Sequence, residues 1–146
     1  MANSQQNLSV EFNFVEYRAT KLNQINKALD EAVFSSQNTA LIFHEAMRYT
    51  LQACGKCFAP TLCIASCELV GGNESLGMPL ACSLEMMVAS DVILDDLPCL
   101  DNDDLRRGKP TNQKVFGEEI SILAMLKSLS GYVQHLGQKE LWQGRL

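Results

Sequence analysis

Between Ser90 and Thr111 the chain sets six aspartates, Asp91, Asp95, Asp96, Asp101, Asp103 and Asp104, directly ahead of Arg106, Arg107 and Lys109. Two like charges about 4 Å apart repel by roughly 1 kcal/mol in water, and by about 4 kcal/mol at an effective dielectric of about 20. Converging carboxylates therefore call for a cation. Hard divalent ions take oxygen ligands, and Mg²⁺ is commonly held by one or two carboxylates together with substrate phosphates. Planar guanidinium groups bind phosphate oxygens in pairs. Residue types and order together point to a site for Mg²⁺ and a diphosphate. The bland reading of the same run is a solvated acidic turn, and Gly108-Lys109-Pro110 alone reads as a simple turn.

The elements that must hold this run read as helices. Phe12, Val15, Ala19, Leu22, Ile25, Leu29 and Val33 recur at three and four residues, the mark of one amphipathic helix. Residues 35–39 form a polar connector, and a second helix follows over 40–53 with Ile42, Ala46 and Tyr49 on its face. Thr61 to Val70 reads as a third helix, ended by Gly71 and Gly72. Ser75 to Asp96 reads as a fourth; from Leu80 to Leu94 only Glu85 and Asp91 are charged, which predicts a central helix buried nearly all round. That helix delivers the paired aspartates at its C-terminal end. Pro98 disfavours helix at Leu97, placing residues 101–109 on a loop. A last helical region begins near Gln113, with Ile122, Leu126, Leu129, Val133 and Leu136 as its apolar face. Strand-like alternation and internal repeats are absent from the sequence, so the fold class is all-α.

Composition narrows the partners. A chain of 146 residues with 47% hydrophobic and 20% charged residues fits one globular domain, read here as residues 10–146 behind a disordered polar segment, 1–9. The net charge of −5, without a basic patch, argues against a nucleic-acid partner. The longest apolar run, Met86 to Ser90, is too short to span a bilayer. Residues 1–9 lack a positive and an apolar region, and the first basic residue is Arg18, so neither a signal nor a transit peptide is expected and the cytosol is, with a plastid open if the N-terminus is incomplete. The six cysteines are then expected reduced. Cys54, Cys57, Cys63 and Cys67 have spacings that admit zinc, against a reading as small buried hydrophobes on apolar helices.

The segment D-D-L-P-C-L-D-N-D-D-L-R-R-G-K-P-T-N, residues 95–112, resembles the first aspartate-rich motif of the trans-isoprenyl diphosphate synthases, in the spacing of plant-type geranylgeranyl diphosphate synthases. The likeness extends upstream through His44 to Tyr49, Leu62 to Gly72 and Ser83 to Met86, and downstream through Lys114 to Glu118. It implies part of a large antiparallel helix bundle around a deep cavity, and Mg²⁺-dependent condensation of isopentenyl diphosphate with an allylic diphosphate. The match implies metal ligation by Asp95, Asp96 and Asp101, binding of the allylic diphosphate by Arg106, and binding of isopentenyl diphosphate by Arg107 and Lys56. It also implies a homodimer, or a heterodimer with a full-length synthase in which the helix bearing Cys63 and Cys67 meets the partner.

The departures matter equally. The arginine that the family places three residues after Lys56 is Ala59, and two family histidines are Val88 and Leu94. Asp91 stands where the family lines its chain-length pocket. Nothing after Asp104 resembles the second aspartate-rich motif; the later acids are Glu118, Glu119 and Glu140. The expectation is roughly the N-terminal half of such a synthase, weak or inactive alone. The alternatives are a non-catalytic partner subunit and a truncated product without function.

Overall fold

Asn13 opens the first helix: its Oδ1 accepts from the backbone N–H groups of Val15 (3.1 Å) and Glu16 (3.2 Å), the usual device for satisfying orphan donors at a helix start. The computed structural model describes residues 12–34, 41–53, 55 and 57–137. The segment 1–9 expected to be disordered, the connector 35–39, Cys54, Lys56 and residues beyond 137 lie outside the described residues. The elements are α1 (Phe14–Phe34), α2 (Leu41–Ala53), α3 (Phe58–Leu69), α4 (Glu74–Asp95), β1 (Leu105–Arg106), β2 (Lys109–Pro110), α5 (Asn112–Phe116) and α6 (Glu118–Leu136). The described residues are all-α apart from one hairpin of two-residue strands, where the sequence predicted a loop.

Helix α4 is the axis of the bundle and packs against α6, α3, α2 and α1. Asn73 caps it by accepting from Leu76 N–H at 3.0 Å. Its buried residues include Ala81, Cys82, Glu85, Met86, Ala89 and Ile93, while Asp91, Leu94 and Asp95 are exposed. By length and composition α4 could cross a bilayer, which the short run at 86–90 did not reveal; half of its apolar stretch is buried inside the bundle.

One predicted face is kept over most of its length and one is turned. On α1 the predicted Ile25, Leu29 and Val33 are buried, joined by Lys21, whereas the first residues of that face, Phe12 (69% exposed) and Val15 (76%), are exposed. On α6 the buried stripe is Ser121, Ala124, Ser128 and Gly131, and Leu126, Leu129 and Val133 of the predicted face are exposed. Small residues let the backbones of α4 and α6 approach closely, so a larger side chain has no room in that seam. An added Cβ at Gly131 would lie 2.7 Å from Met86 Sδ.

Lys21 is buried, yet it holds charge because its Nζ meets Glu68 Oε1 (2.6 Å) and Glu74 Oε2 (2.7 Å). Tyr17 donates to the other Glu68 oxygen at 2.7 Å. This cluster ties α1 to the end of α3 and the start of α4. Hydrogen bonds from Lys21 and then Tyr17 hold the Glu68 carboxyl below its ordinary range. Accepting carboxylates and burial push the Tyr17 phenol up to about 12, burial first.

Two outcomes are expected. Gly131→Leu should destabilise the bundle by about 1–3 kcal/mol, seen as a lower denaturant midpoint at constant slope; an unchanged midpoint would mean a looser α4–α6 seam. The Glu68 contribution should be complete above its ordinary value of 4.5 and fade as pH falls through the lowered folded value. Acid unfolding of wild type and Glu68→Gln should therefore converge below that pH, and parallel curves to the acid limit would exclude a charged Glu68.

Candidate functional site

Asp95 is the last residue of α4 and Asp96 its C-cap. Neighbouring helical residues point about 100° apart, and here that separates two environments: Asp95 is exposed, Asp96 only 2% so. Beyond Pro98 the chain folds back, and Asp101 N–H donates to the Asp95 carbonyl at 3.0 Å. Asn102 N–H donates to Leu97 O at 3.1 Å, with Asn102 in the left-handed region at φ 53°. The turn thus returns the Asp101 backbone to the end of α4, with both the Asp95 and Asp101 side chains at the surface.

The hairpin that follows pairs Leu105 with Pro110 and Arg106 with Lys109. Its turn residues, Arg107 (φ 54°) and Gly108 (φ 79°), both have positive φ, as a two-residue type I′ connection requires. For an arginine that conformation costs roughly 1–2 kcal/mol. It accompanies a contact in which Arg107 Nη1 donates to the Ala53 carbonyl, at the end of α2, at 2.8 Å. Gly55 leaves the room: an added Cβ there would lie 3.2 Å from Arg107 Nη1. Arg106 reaches the other way and donates to Asp96 Oδ1 from Nε (2.8 Å) and Nη2 (2.7 Å). The Asp96 bond raises the Arg106 pKa above its ordinary value against the opposing effect of burial. Arg106 Nη2 also lies 3.8 Å from Asp103, and Lys114 Nζ lies 2.6 Å from Asp104. Among the described residues no cation pairs with Asp91, Asp95 or Asp101.

A polar frame fixes the hairpin to the bundle. Asn112 Nδ2 donates to Ala46 O (2.7 Å) and Thr50 Oγ1 (2.8 Å), and Asn112 Oδ1 accepts from Ser121 Oγ (2.8 Å). Thr111 Oγ1 donates to Asp103 O at 2.8 Å, and Tyr49 Oη to Pro110 O at 2.7 Å. Gln113 Nε2 donates to the carbonyls of Asp96 and Asp103. Sequence reasoning gave Thr50, Thr111, Asn112, Gln113 and Ser121 no role and read Tyr49 as part of a helix face; the available signal was polar side chains at the start of a short helix. Tyr49, Asp96, Arg106, Arg107 and Lys109 line a cleft enclosing about 20 Å³, room for a water but not for a prenyl chain.

The structure does not gather Asp95, Asp96 and Asp101 around one point. No group of three or more metal-ligating side chains forms among the described residues. Lys56 lies outside those residues. The Cys63 and Cys67 thiols face the chain's own Gly77 and Asn73 carbonyls, at 4.0 and 3.5 Å, between α3 and the start of α4. Cys57 donates to the buried Glu85 carboxylate at 3.5 Å; burial, then that carboxylate, pushes its thiol up to about 12.

A model of the polyprenyl synthetase family matches residues 40–139. The chain belongs to the polyprenyl synthetase family. It is 57% identical over 125 residues to the chloroplastic large subunit 1 of a heterodimeric geranylgeranyl pyrophosphate synthase from Arabidopsis thaliana, covering 86% of this chain and 33% of that protein. It is 58% identical over 116 residues to the mitochondrial geranylgeranyl pyrophosphate synthase 10 of the same plant, covering 80% and 33%. Those compartments contrast with the cytosol expected from residues 1–9. Among solved structures, a geranyltransferase from Legionella pneumophila superposes with a TM-score of 0.81 at 27% identity, covering 85% of this chain and 44% of that one. An FPP/GFPP synthase from Zymomonas mobilis superposes at 0.78 and 28%, covering 87% and 47%. The chain thus spans about a third of the curated relatives it matches and just under half of these solved chains.

Asn112→Ala should remove the amide's bonds to Ala46 O, Thr50 Oγ1 and Ser121 Oγ, costing about 1–3 kcal/mol. Chemical denaturation reads this directly; a loss below a few tenths would mean that water replaces the amide.

Proposed function

We propose that this chain carries a Mg²⁺- and diphosphate-binding part of a prenyl-transfer site, serving condensation of isopentenyl diphosphate with an allylic diphosphate as in geranylgeranyl diphosphate synthesis. One observation carries the reading: Asp96, Asp103 and Asp104 meet cations of the chain itself, whereas Asp95 and Asp101, the outer members of the motif, make no ion pair among the described residues. Two surface carboxylates joined by a backbone bond at the negative end of a helix suit a hard cation. Asp95 and Asp101 would hold Mg²⁺, and Asp96 could join them by releasing Arg106. When bound, the ion stabilises charge on the departing diphosphate. Arg106 binds the allylic diphosphate; Arg107 and Lys56 bind that of isopentenyl diphosphate. Losing the family arginine at Ala59 and histidine at Val88 removes charge-assisted bonds worth about 1.5–3 kcal/mol each, on the order of a hundredfold or more in affinity. The small cleft and the single aspartate motif argue for weak or no turnover by this chain alone.

A second reading is a non-catalytic subunit of a complete synthase. It is favoured by Leu123, Leu126, Leu129 and Val133, exposed along α6, since contiguous exposed apolar surface commonly marks an interface. On α3, Phe58 and Leu62 are exposed near Cys63, giving the partner contact proposed for Cys63 and Cys67 an apolar rim.

A radiolabelled prenyl-transfer assay with Mg²⁺ and both diphosphates tests these readings, run alone, with a complete geranylgeranyl diphosphate synthase, and with Asp95→Ala/Asp101→Ala as control. Altered yield or product length in the mixture, with little product from the chain alone, is the expected result. Robust product from the chain alone, lost in the control, would establish independent catalysis. No effect in any mixture would sink the partner reading.

A further inference from the structure

We propose that Gln113 is a positioning residue of the metal and diphosphate site, a role that rests on the reading given above. The loop that leaves α4 at Asp96 and re-enters the hairpin after Asp103 carries Asp101 at its far side. Gln113 Nε2 donates to the carbonyls of both ends of that loop, Asp96 and Asp103. One carboxamide nitrogen therefore closes the loop like a clasp.

The clasp is anchored. Gln113 follows Asn112, which is 3% exposed and bonded to α2 through Ala46 and Thr50 and to α6 through Ser121. It precedes Lys114, which pairs with Asp104. The position of the loop is thereby referred to the core of the bundle. Inside the loop two features need such a hold. Asp101 N–H reaches the Asp95 carbonyl at 3.0 Å, the bond that returns Asp101 to α4. Asn102 sits at φ 53°, a conformation that persists where the surroundings over-determine it.

The chemistry of the side chain also matters. An amide supplies two N–H donors and no charge, so it can bond two carbonyls amid aspartates without competing with Mg²⁺ for their carboxylates. It does not titrate, so the closure is insensitive to pH. Thr111 supports the same loop from Asp103 alone, and Arg106 reaches the carboxylates of Asp96 and Asp103; Gln113 bonds the backbone carbonyls at both ends.

Gln113→Met, close in shape but without donors, tests the role, with Gln113→Lys as a variant that restores N–H donors. In hydrogen exchange, the Asp101 and Asn102 amides should exchange about tenfold faster in Gln113→Met than in wild type, and near the wild-type rate in Gln113→Lys, with Val92 and Ile93 unchanged in both. In calorimetry with Mg²⁺ and inorganic diphosphate, Gln113→Met should bind about tenfold more weakly while its melting temperature stays within a few degrees. Unchanged exchange at Asp101 and Asn102, or equally fast exchange there in the methionine and lysine variants, overturns the clasp. Faster exchange with unchanged Mg²⁺–diphosphate affinity overturns the positioning role. Should wild type bind no Mg²⁺–diphosphate, the functional reading falls and the metal role with it, whereas the exchange measurements still decide whether Gln113 closes the loop.

Discussion

The end of a helix is a poor place for carboxylates. Its last carbonyls carry a partial negative charge, and α4 ends with Asp95 followed directly by Asp96. Much of the surrounding structure answers that constraint. Asp96 is withdrawn from solvent and matched by Arg106. Reaching it requires a hairpin with a tight turn, and the turn sets Arg107 in a left-handed conformation. Arg107 in turn donates to the last carbonyl of α2. Adjacent arginines therefore serve the C-terminal ends of two helices, bringing α2 and α4 together at the hairpin. Among the described residues Asp95 and Asp101 have no such answer, and the proposed cation site rests on that difference.

The same helix sets the packing of the bundle. Its seam with α6 is lined by Ser121, Ala124, Ser128 and Gly131 on the α6 side, so affinity between these helices comes from close backbone approach rather than from large interlocking side chains. The consequence appears on the outside. Leucines and valine that would ordinarily fill a core are left on the far face of α6. In a family whose members are much longer than this chain, such a face is consistent with the second reading, in which more protein lies against it.

The cysteines show what folding adds to spacing. Cys63 and Cys67 share a face of α3, and their half-buried thiols meet the Gly77 and Asn73 carbonyls at the start of α4. Cys57 is spent on Glu85, and burial keeps Cys82 protonated, with its thiol pushed up to about 12. These are features of packing and of one buried polar contact. Lys21 serves a comparable end: a single cation, held by Glu68 and Glu74, joins three helices at the end of the bundle opposite in chemistry to the aspartate hairpin.

The sequence by itself determined the helices, because their apolar periodicity and the Asn, Gly and Pro punctuation are local properties. It also determined the family, since the aspartate–arginine run is contiguous and its order survives without knowledge of any contact. It placed Asp101 on a loop beyond Pro98. Only the tertiary structure decided which face of α6 is buried: small residues carry little hydropathy, yet they win the seam where two backbones approach. The division among the aspartates was equally invisible in sequence. Asp95 and Asp96 are identical neighbours, and the difference between them arises from a rotation of about 100° along a helix and from Arg106 across the hairpin. Asn112 and Gln113 have roles for the same reason, because their partners at Ala46, Thr50, Ser121, Asp96 and Asp103 are brought to them by folding.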